Sequence, residues 1–198
     1  MIAVVLPTRG TVFTETVIGL LKATEGYDTR FYLSHNLPTP DSFNALVEEA
    51  MKDGCDKFFI TNDDVVVTKS IFKNLIESKQ PINCAAVNMT ENFHGYYEKD
   101  GEVDMCGTSC LMVDREVFEK MTRPYFRTDI RYITQGGEEK EVIDKKGKAW
   151  GGEEVYFSRQ VRKLGYKINL VEGRARHLRL IKLGEKHSNN GCHIIEDL

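Results

Sequence analysis

A chain of 198 residues, 41% hydrophobic and 29% charged, has the composition of an ordinary soluble globular protein and is long enough for one domain with a full core. Its net charge of −3 gives no general electrostatic case for nucleic-acid binding, so no nucleic-acid partner is expected, and no apolar run approaches the ~18 residues that would cross a bilayer. Cys55, Cys84, Cys106, Cys110 and Cys192 form no CxxC pair and are odd in number, which favours reduced thiols in a cytoplasmic protein over a disulfide framework.

Residues 2–6 form an apolar run without a basic start or a small-residue cleavage site, and the expectation is a strand rather than a signal peptide. The turn after it, Pro7-Thr8-Arg9-Gly10, is not the GxGxxG fingerprint, which disfavours a dinucleotide site. Thr11 or Thr14 caps a helix over 15–22, with Val17, Leu20 and Leu21 expected inward. A strand over 30–33 ends in the polar Ser34-His35-Asn36. Thr39-Pro40 then opens a helix whose apolar residues Phe43, Leu46, Val47, Ala50 and Met51 keep i, i+3, i+4, i+7, i+8 spacing up to Asp53-Gly54. The run 57–60 is a buried strand that stops at Asn62-Asp63-Asp64. Thr68 or Ser70 caps a helix with the stripe Ile71, Phe72, Leu75 and Ile76, and 82–87 is a further strand.

This order, βαβαβαβ, implies an α/β fold with a mostly parallel central sheet and helices on both faces. Ligands of such sheets sit at the carboxyl ends of the strands, where Arg9, Asn36, Asp63 and Asp64 converge. The remainder is more varied. Residues 88–105, with a Lys99-Asp100-Gly101 turn, form a hairpin or a loop over the site; 108–113 is a strand; Asp114 caps a short helix around Val117, Phe118 and Met121. Residues 125–150 form a hairpin or lid. Trp150-Gly151-Gly152-Glu153-Glu154 leads into a helix over 155–164 stopped by Gly165, then a strand over 166–171 followed by Arg174-Ala175-Arg176-His177. One domain over 1–185 and a tail over 186–198 are expected.

Three clusters carry chemistry. Adjacent carboxylates at a strand end repel and lose hydration, and a hard divalent cation offsets that; a lone Asn-Asp-Asp is as readily a polar turn. The basic run from Arg159 to Lys186 has the charge to hold a metal–diphosphate against that acidic end, or forms a solvated helix face. Glu153 and Glu154 suit the positive end of a helix, and equally suit a general base beside glycines that give a substrate room.

Together these pieces resemble a GT-A fold glycosyltransferase, closest to the inverting family 2 type. The matching residues are Leu6-Pro7-Thr8-Arg9, Asn62-Asp63-Asp64 in place of a DxD motif, Cys106-Gly107-Thr108-Ser109 before Leu111-Met112-Val113, Gly152-Glu153-Glu154, Leu164-Gly165-Tyr166-Lys167-Ile168, and His177. Trp150-Gly151-Gly152-Glu153 is also similar to the acceptor-side motif of galactosyltransferases. The likeness runs from Ile2 to His177. It implies a single Rossmann-like nucleotide-diphospho-sugar transferase domain and a hexosyltransferase-like enzyme of the EC 2.4 group. Its donor would be a UDP- or GDP-type sugar nucleotide, and its acceptor a glycan or other hydroxyl compound.

On the resemblance, Asp64 and His177 hold Mn²⁺ or Mg²⁺ with Asn62 at its edge, while Pro7, Thr8, Arg9, Asn62 and Asp63 line the nucleotide, joined by Asn36 and Asn44. Glu154 is the general base and Glu153 its catalytic neighbour on the acceptor side. Gly107, Trp150, Gly151 and Gly152 border the acceptor, and Arg174 and Arg176 (or Arg179) face the phosphates. The implied chemistry is transfer with inversion; a retaining outcome stays open. Two departures stand out: Asn62 replaces the family's first Asp, and Glu154 is one methylene longer than its catalytic Asp. A non-catalytic carbohydrate- or nucleotide-binding module is one alternative. A nucleotidyltransferase of related fold is another, although Pro7-Thr8-Arg9-Gly10 lacks that class's glycine-rich loop.

Overall fold

The computed structural model describes residues 1–8, 10–34, 37–89, 94–135, 138–143 and 152–178. Its elements in chain order are β1 (Ile2–Pro7), α1 (Thr14–Thr24), β2 (Thr29–Ser34), α2 (Thr39–Lys52), β3 (Lys57–Thr61), β4 (Val65–Val66), α3 (Lys69–Glu77), β5 (Ile82–Asn88), β6 (Tyr96–Lys99), β7 (Glu102–Cys106), β8 (Cys110–Asp114), α4 (Arg115–Lys120), β9 (Ile130–Gln135), β10 (Glu138–Ile143), α5 (Glu153–Lys163) and β11 (Asn169–His177).

The central sheet has the order β2-β1-β3-β8-β5-β11-β4. Strands β2, β1, β3, β5 and β11 run one way, whereas β8 and β4 run the other, so the sheet is mixed but mostly parallel in direction. Both faces are covered, which is why the strands read as unbroken apolar runs. In β1, Ala3 and Val5 point into a cluster with Phe43, Leu46 and Val47 of α2, while Val4 and Leu6 point into a second cluster with Leu20 of α1 and Ile71, Phe72 and Leu75 of α3. The neighbours Phe58 and Phe59 divide in the same way. Phe58 meets Phe118 of α4 edge-on at 5.0 Å, and Phe59 meets Phe72 of α3 at 5.1 Å. Such ring pairs add about 0.5–1.5 kcal/mol each beyond their buried area.

Several expectations are corrected. Of the three α1 residues expected inward only Leu20 is buried; Val17 and Leu21 are 41% and 59% exposed, because α1 turns a narrower stripe to the sheet. Residue Phe13, not a threonine, occupies the cap position of α1. The last strand is longer than its apolar run. β11 continues through a register shift between Val171 and Arg174, so Arg174, Arg176 and His177 lie within a strand rather than after one. Gly173 in that irregularity has φ +124, and a Cβ there would come within 2.6 Å of Ile71 Cγ1, so both backbone and space demand glycine.

The basic side chains of α5 do not face the acidic end of β3. Arg159 and Arg162 bind Asp104 of β7 at 2.8 and 2.5 Å; Arg159 also reaches Glu139 and Lys163 reaches Glu141, both of β10. These pairs fasten the β9–β10 hairpin along the helix. Cys55, Cys84, Cys106 and Cys110 are buried free thiols. No helix among the described residues is long and apolar enough to cross a membrane.

Candidate active site

The site forms where chain reversals bring distant segments to one edge of the sheet. Strand β3 ends at Thr61, and the turn Asn62-Asp63-Asp64 leads into β4. That two-residue strand pairs antiparallel with β11, setting Val65 opposite His177. The backbone is pinned again by Leu178 N–H donating to the Asp64 carbonyl at 2.7 Å. Asp64 and His177, 113 residues apart in sequence, are thereby brought to 3.1 Å between Oδ2 and Nε2. The other oxygen, Asp64 Oδ1, is buried and has no hydrogen-bond partner among the described residues. An unpaired buried carboxylate oxygen is costly. A carboxylate oxygen and an imidazole nitrogen at one point suit Mn²⁺ or Mg²⁺, with water and phosphate oxygens completing the shell. The described residues supply no third His, Cys, Asp or Glu to the pair.

Beside this pair lies a cavity of about 480 Å³ lined by Pro7, Thr8, Thr11, Phe13, Leu37, Thr39, Ser42, Asn62, Asp63, Asp64 and Leu178. The turn after β1 is shaped by Thr8, whose hydroxyl donates to the Thr11 carbonyl at 2.7 Å and accepts from Gly10 N–H at 3.1 Å. Phe13 N–H donates to the Asp63 carbonyl, tying this turn to the acidic one. On the far wall the hydroxyls of Ser34 and Ser42 meet at 2.6 Å.

The second acidic pair approaches from α5. Gly152 caps the helix without a side chain. A Cβ placed on Gly152 would collide with the Glu154 carboxylate, which folds back over the helix start. Glu153 is half-buried, and its carboxylate accepts from Thr108 Oγ1 at 3.4 Å. Burial, and then the charge of Glu154, push the Glu153 carboxyl above the usual carboxylate range. The bridge between the two acidic groups is the Thr108-Ser109 turn before β8. Asn62 Nδ2 donates to Ser109 Oγ and Thr61 Oγ1 donates to the Ser109 carbonyl, both at 2.9 Å.

The residues singled out from sequence therefore divide. Pro7, Thr8, Asn62, Asp63 and Asp64 share the cavity wall, His177 stands against Asp64, and Glu153 and Glu154 lie across the Thr108-Ser109 bridge. Gly107, half-buried, is joined to Gly95 by a 2.7 Å backbone hydrogen bond. Asn44 is engaged elsewhere: its amide clasps the backbone of Tyr125 and Phe126 through three hydrogen bonds. Arg174 and Arg176 are exposed on β11, and Arg176 borders a separate groove with Glu15, Ile18 and Lys69. Arg9, Asn36, Trp150, Gly151 and Arg179 lie outside the described residues.

Thr108, Ser109, Thr11, Phe13 and Ser42 were not among the sequence candidates. For Thr108 and Ser109 the missing information was strand direction. Because β8 is antiparallel to β3, its beginning lies beside the end of β3, Cys110 opposite Thr61. A Gly-Thr-Ser before an apolar run was the available signal.

No protein-family model matches the chain, and neither does any curated protein. Solved structures do. A197 from STIV is 18% identical, with 90% of this chain and 85% of that one aligned at a TM-score of 0.62. The catalytic domain of Drosophila β1,4-galactosyltransferase 7, in complex with xylobiose, is 17% identical, with 87% of this chain aligned at a TM-score of 0.56. This chain spans 65% of that domain's length. A nucleoside-diphosphate-sugar pyrophosphorylase from Vibrio cholerae superposes more loosely, at 12% identity, 88% and 92% coverage and a TM-score of 0.48. What the chain shares with A197 and with the galactosyltransferase catalytic domain is a fold, α/β with a mixed central sheet.

Proposed function

We propose that this protein is a metal-dependent glycosyltransferase moving a sugar from a nucleoside-diphosphate sugar to an acceptor hydroxyl. The observation that carries the reading is the buried, unpartnered Oδ1 of Asp64 beside His177, at the wall of a cavity that reaches the turn after β1. Unsatisfied negative charge next to a cavity of about 480 Å³ suits a cation carrying a diphosphate. The galactosyltransferase likeness is in fold alone, and xylobiose is that protein's ligand.

In this reading the nucleoside lies along Pro7, Thr8, Thr11 and Ser42. Asp64 and His177 hold Mn²⁺ or Mg²⁺, with Asn62 at the edge. The ion, when bound, stabilises negative charge on the departing diphosphate. Asn62, fixed through Nδ2 by Ser109, has its carbonyl oxygen left for the donor or the ion. The Glu154 carboxylate lies over Gly152; in this reading it takes the acceptor proton on the side away from the departing diphosphate, as the glycosidic bond breaks through an oxocarbenium-like state. Attack from that side inverts the anomeric carbon. Glu153 binds the acceptor.

The test is turnover of a panel of UDP- and GDP-sugars with and without Mn²⁺, in wild type and Glu154→Gln. The reading predicts metal-dependent sugar release or transfer that falls by roughly 10²–10⁴-fold in Glu154→Gln. Metal-dependent binding without turnover would instead identify a binding module, and conversion of the sugar nucleotide to nucleoside triphosphate and sugar phosphate when pyrophosphate is added would identify a nucleotidyltransferase.

A further inference from the structure

Two short residues join the halves of the site. Ser109 is fastened to the acidic end of β3 at both its carbonyl, by Thr61 Oγ1, and its hydroxyl, by Asn62 Nδ2, each at 2.9 Å. Its neighbour Thr108, 3% exposed, carries the hydroxyl that meets Glu153 Oε1 at 3.4 Å. Both residues are buried.

We propose that Thr108 is a positioning residue: anchored to β3 through Ser109, its hydroxyl orients the Glu153 carboxylate and favours its charged form, which accepts a hydrogen bond from an acceptor sugar hydroxyl. The inference rests on the reading of Glu153 as an acceptor-side carboxylate. Of the groups that act on Glu153, Glu154 on its own helix is the charged one and opposes ionisation, as burial does. The Thr108 hydroxyl and the backbone at the head of α5 favour it. Thr108 is therefore the one side chain in this set that supports the charged form. Without its hydroxyl, Glu153 faces burial and a like charge with backbone help alone and takes up a proton at higher pH. A protonated Glu153 presents a donor where the acceptor hydroxyl needs an acceptor. The β3 anchor matters because a hydroxyl at 3.4 Å holds a carboxylate only while its own position is restrained.

The experiment needs neither donor nor acceptor. Carboxyl ¹³C NMR titration of the full chain reads Glu153 in wild type, Thr108→Val and Thr108→Ser. Valine keeps the shape and removes the hydroxyl, whereas serine keeps the hydroxyl. Glu153 is expected to titrate at higher pH in Thr108→Val and at the wild-type pH in Thr108→Ser. Thr61→Val, which frees the Ser109 carbonyl, should move Glu153 in the same direction by less. Identical Glu153 titration in wild type and Thr108→Val would overturn the proposal, as would a shift that Thr108→Ser does not restore. If Thr108→Val fails to fold, Thr61→Val decides the same question. Once a working donor and acceptor are found, Thr108→Val should raise acceptor KM most at acidic pH and leave donor KM unchanged. A titration that moves as expected in a protein that turns over no sugar nucleotide would leave the strut standing and remove the functional reading.

Discussion

Two clusters of charge on this molecule differ in one respect that separates function from scaffolding. On α5, Arg159 and Arg162 converge on Asp104, and Lys163 on Glu141, so each of these cations meets an opposite charge. At the end of β3, Asp64 has one oxygen on His177 and the other buried with no partner among the described residues. The α5 cluster is the denser in charge and the more conspicuous in sequence. It is also satisfied, and it fastens a hairpin to a helix. The β3 cluster is small and incomplete, and it borders a cavity. Charge density marks surface; unsatisfied buried charge marks a site.

The comparison can be broken by mutation, and Gly152→Ala is expected to have the largest effect among substitutions that leave every charge in place. The new methyl displaces the Glu154 carboxylate from its seat over the helix start. A displacement of about 1 Å at a reacting group costs on the order of 10²-fold in turnover. The φ of −72° at this position suits alanine, so thermal stability should be nearly unchanged. Wild-type turnover in Gly152→Ala would show that the seat does not matter.

Glu153→Gln sharpens the contrast through stability. A carboxyl whose pKa is raised on folding binds its proton more tightly in the folded state, so folding loses stability as pH rises from the unfolded carboxyl's range through the raised value. Glutamine removes that loss. The variant should melt above wild type at pH 7, with the difference fading as pH falls below the carboxylate range. A melting temperature below wild type at pH 7 would contradict the cost that burial and the Glu154 charge place on the Glu153 carboxylate.

The smallest effect is expected from Arg162→Ala in the satisfied cluster. Asp104 keeps Arg159, Arg162 reaches it from the exposed side of the helix, and the cost is about 0–1 kcal/mol. Metal and nucleotide affinity should be unchanged, as calorimetry of the variant will check. A clear loss of nucleotide affinity would mean that the α5 charges do serve the site after all.

Much of this was legible in the chain. The alternation of strand and helix through residue 87, the two-faced burial and the acidic end of β3 follow from apolar runs and their periods, because those elements are local. The direction of β8 was not, since it depends on what fills the gap between β3 and β5. That direction brings Thr108 and Ser109 into the site. Nor was β4 legible: two residues carry no period, yet their pairing with β11 sets His177 against Asp64. The basic run over α5 misled for the opposite reason. Its partners Asp104, Glu139 and Glu141 lie in hairpins 20 to 58 residues earlier, where sequence alone shows no pairing. The resemblance sets Asn44 beside the nucleotide, but its amide holds a loop about 80 residues away.

The central claim is that the unsatisfied carboxylate at the end of β3 is the seat of a metal–nucleotide complex. Isothermal titration of UDP and GDP into wild type and Asp64→Asn, each with and without Mn²⁺, tests it most directly. Asparagine keeps the shape and removes the charge, and a strand-end substitution of this kind should cost no more than about 1 kcal/mol of stability. The account predicts nucleotide binding in wild type that requires Mn²⁺ and disappears in Asp64→Asn. Nucleotide affinity that is the same with and without Mn²⁺, or the same in the two proteins, would contradict it.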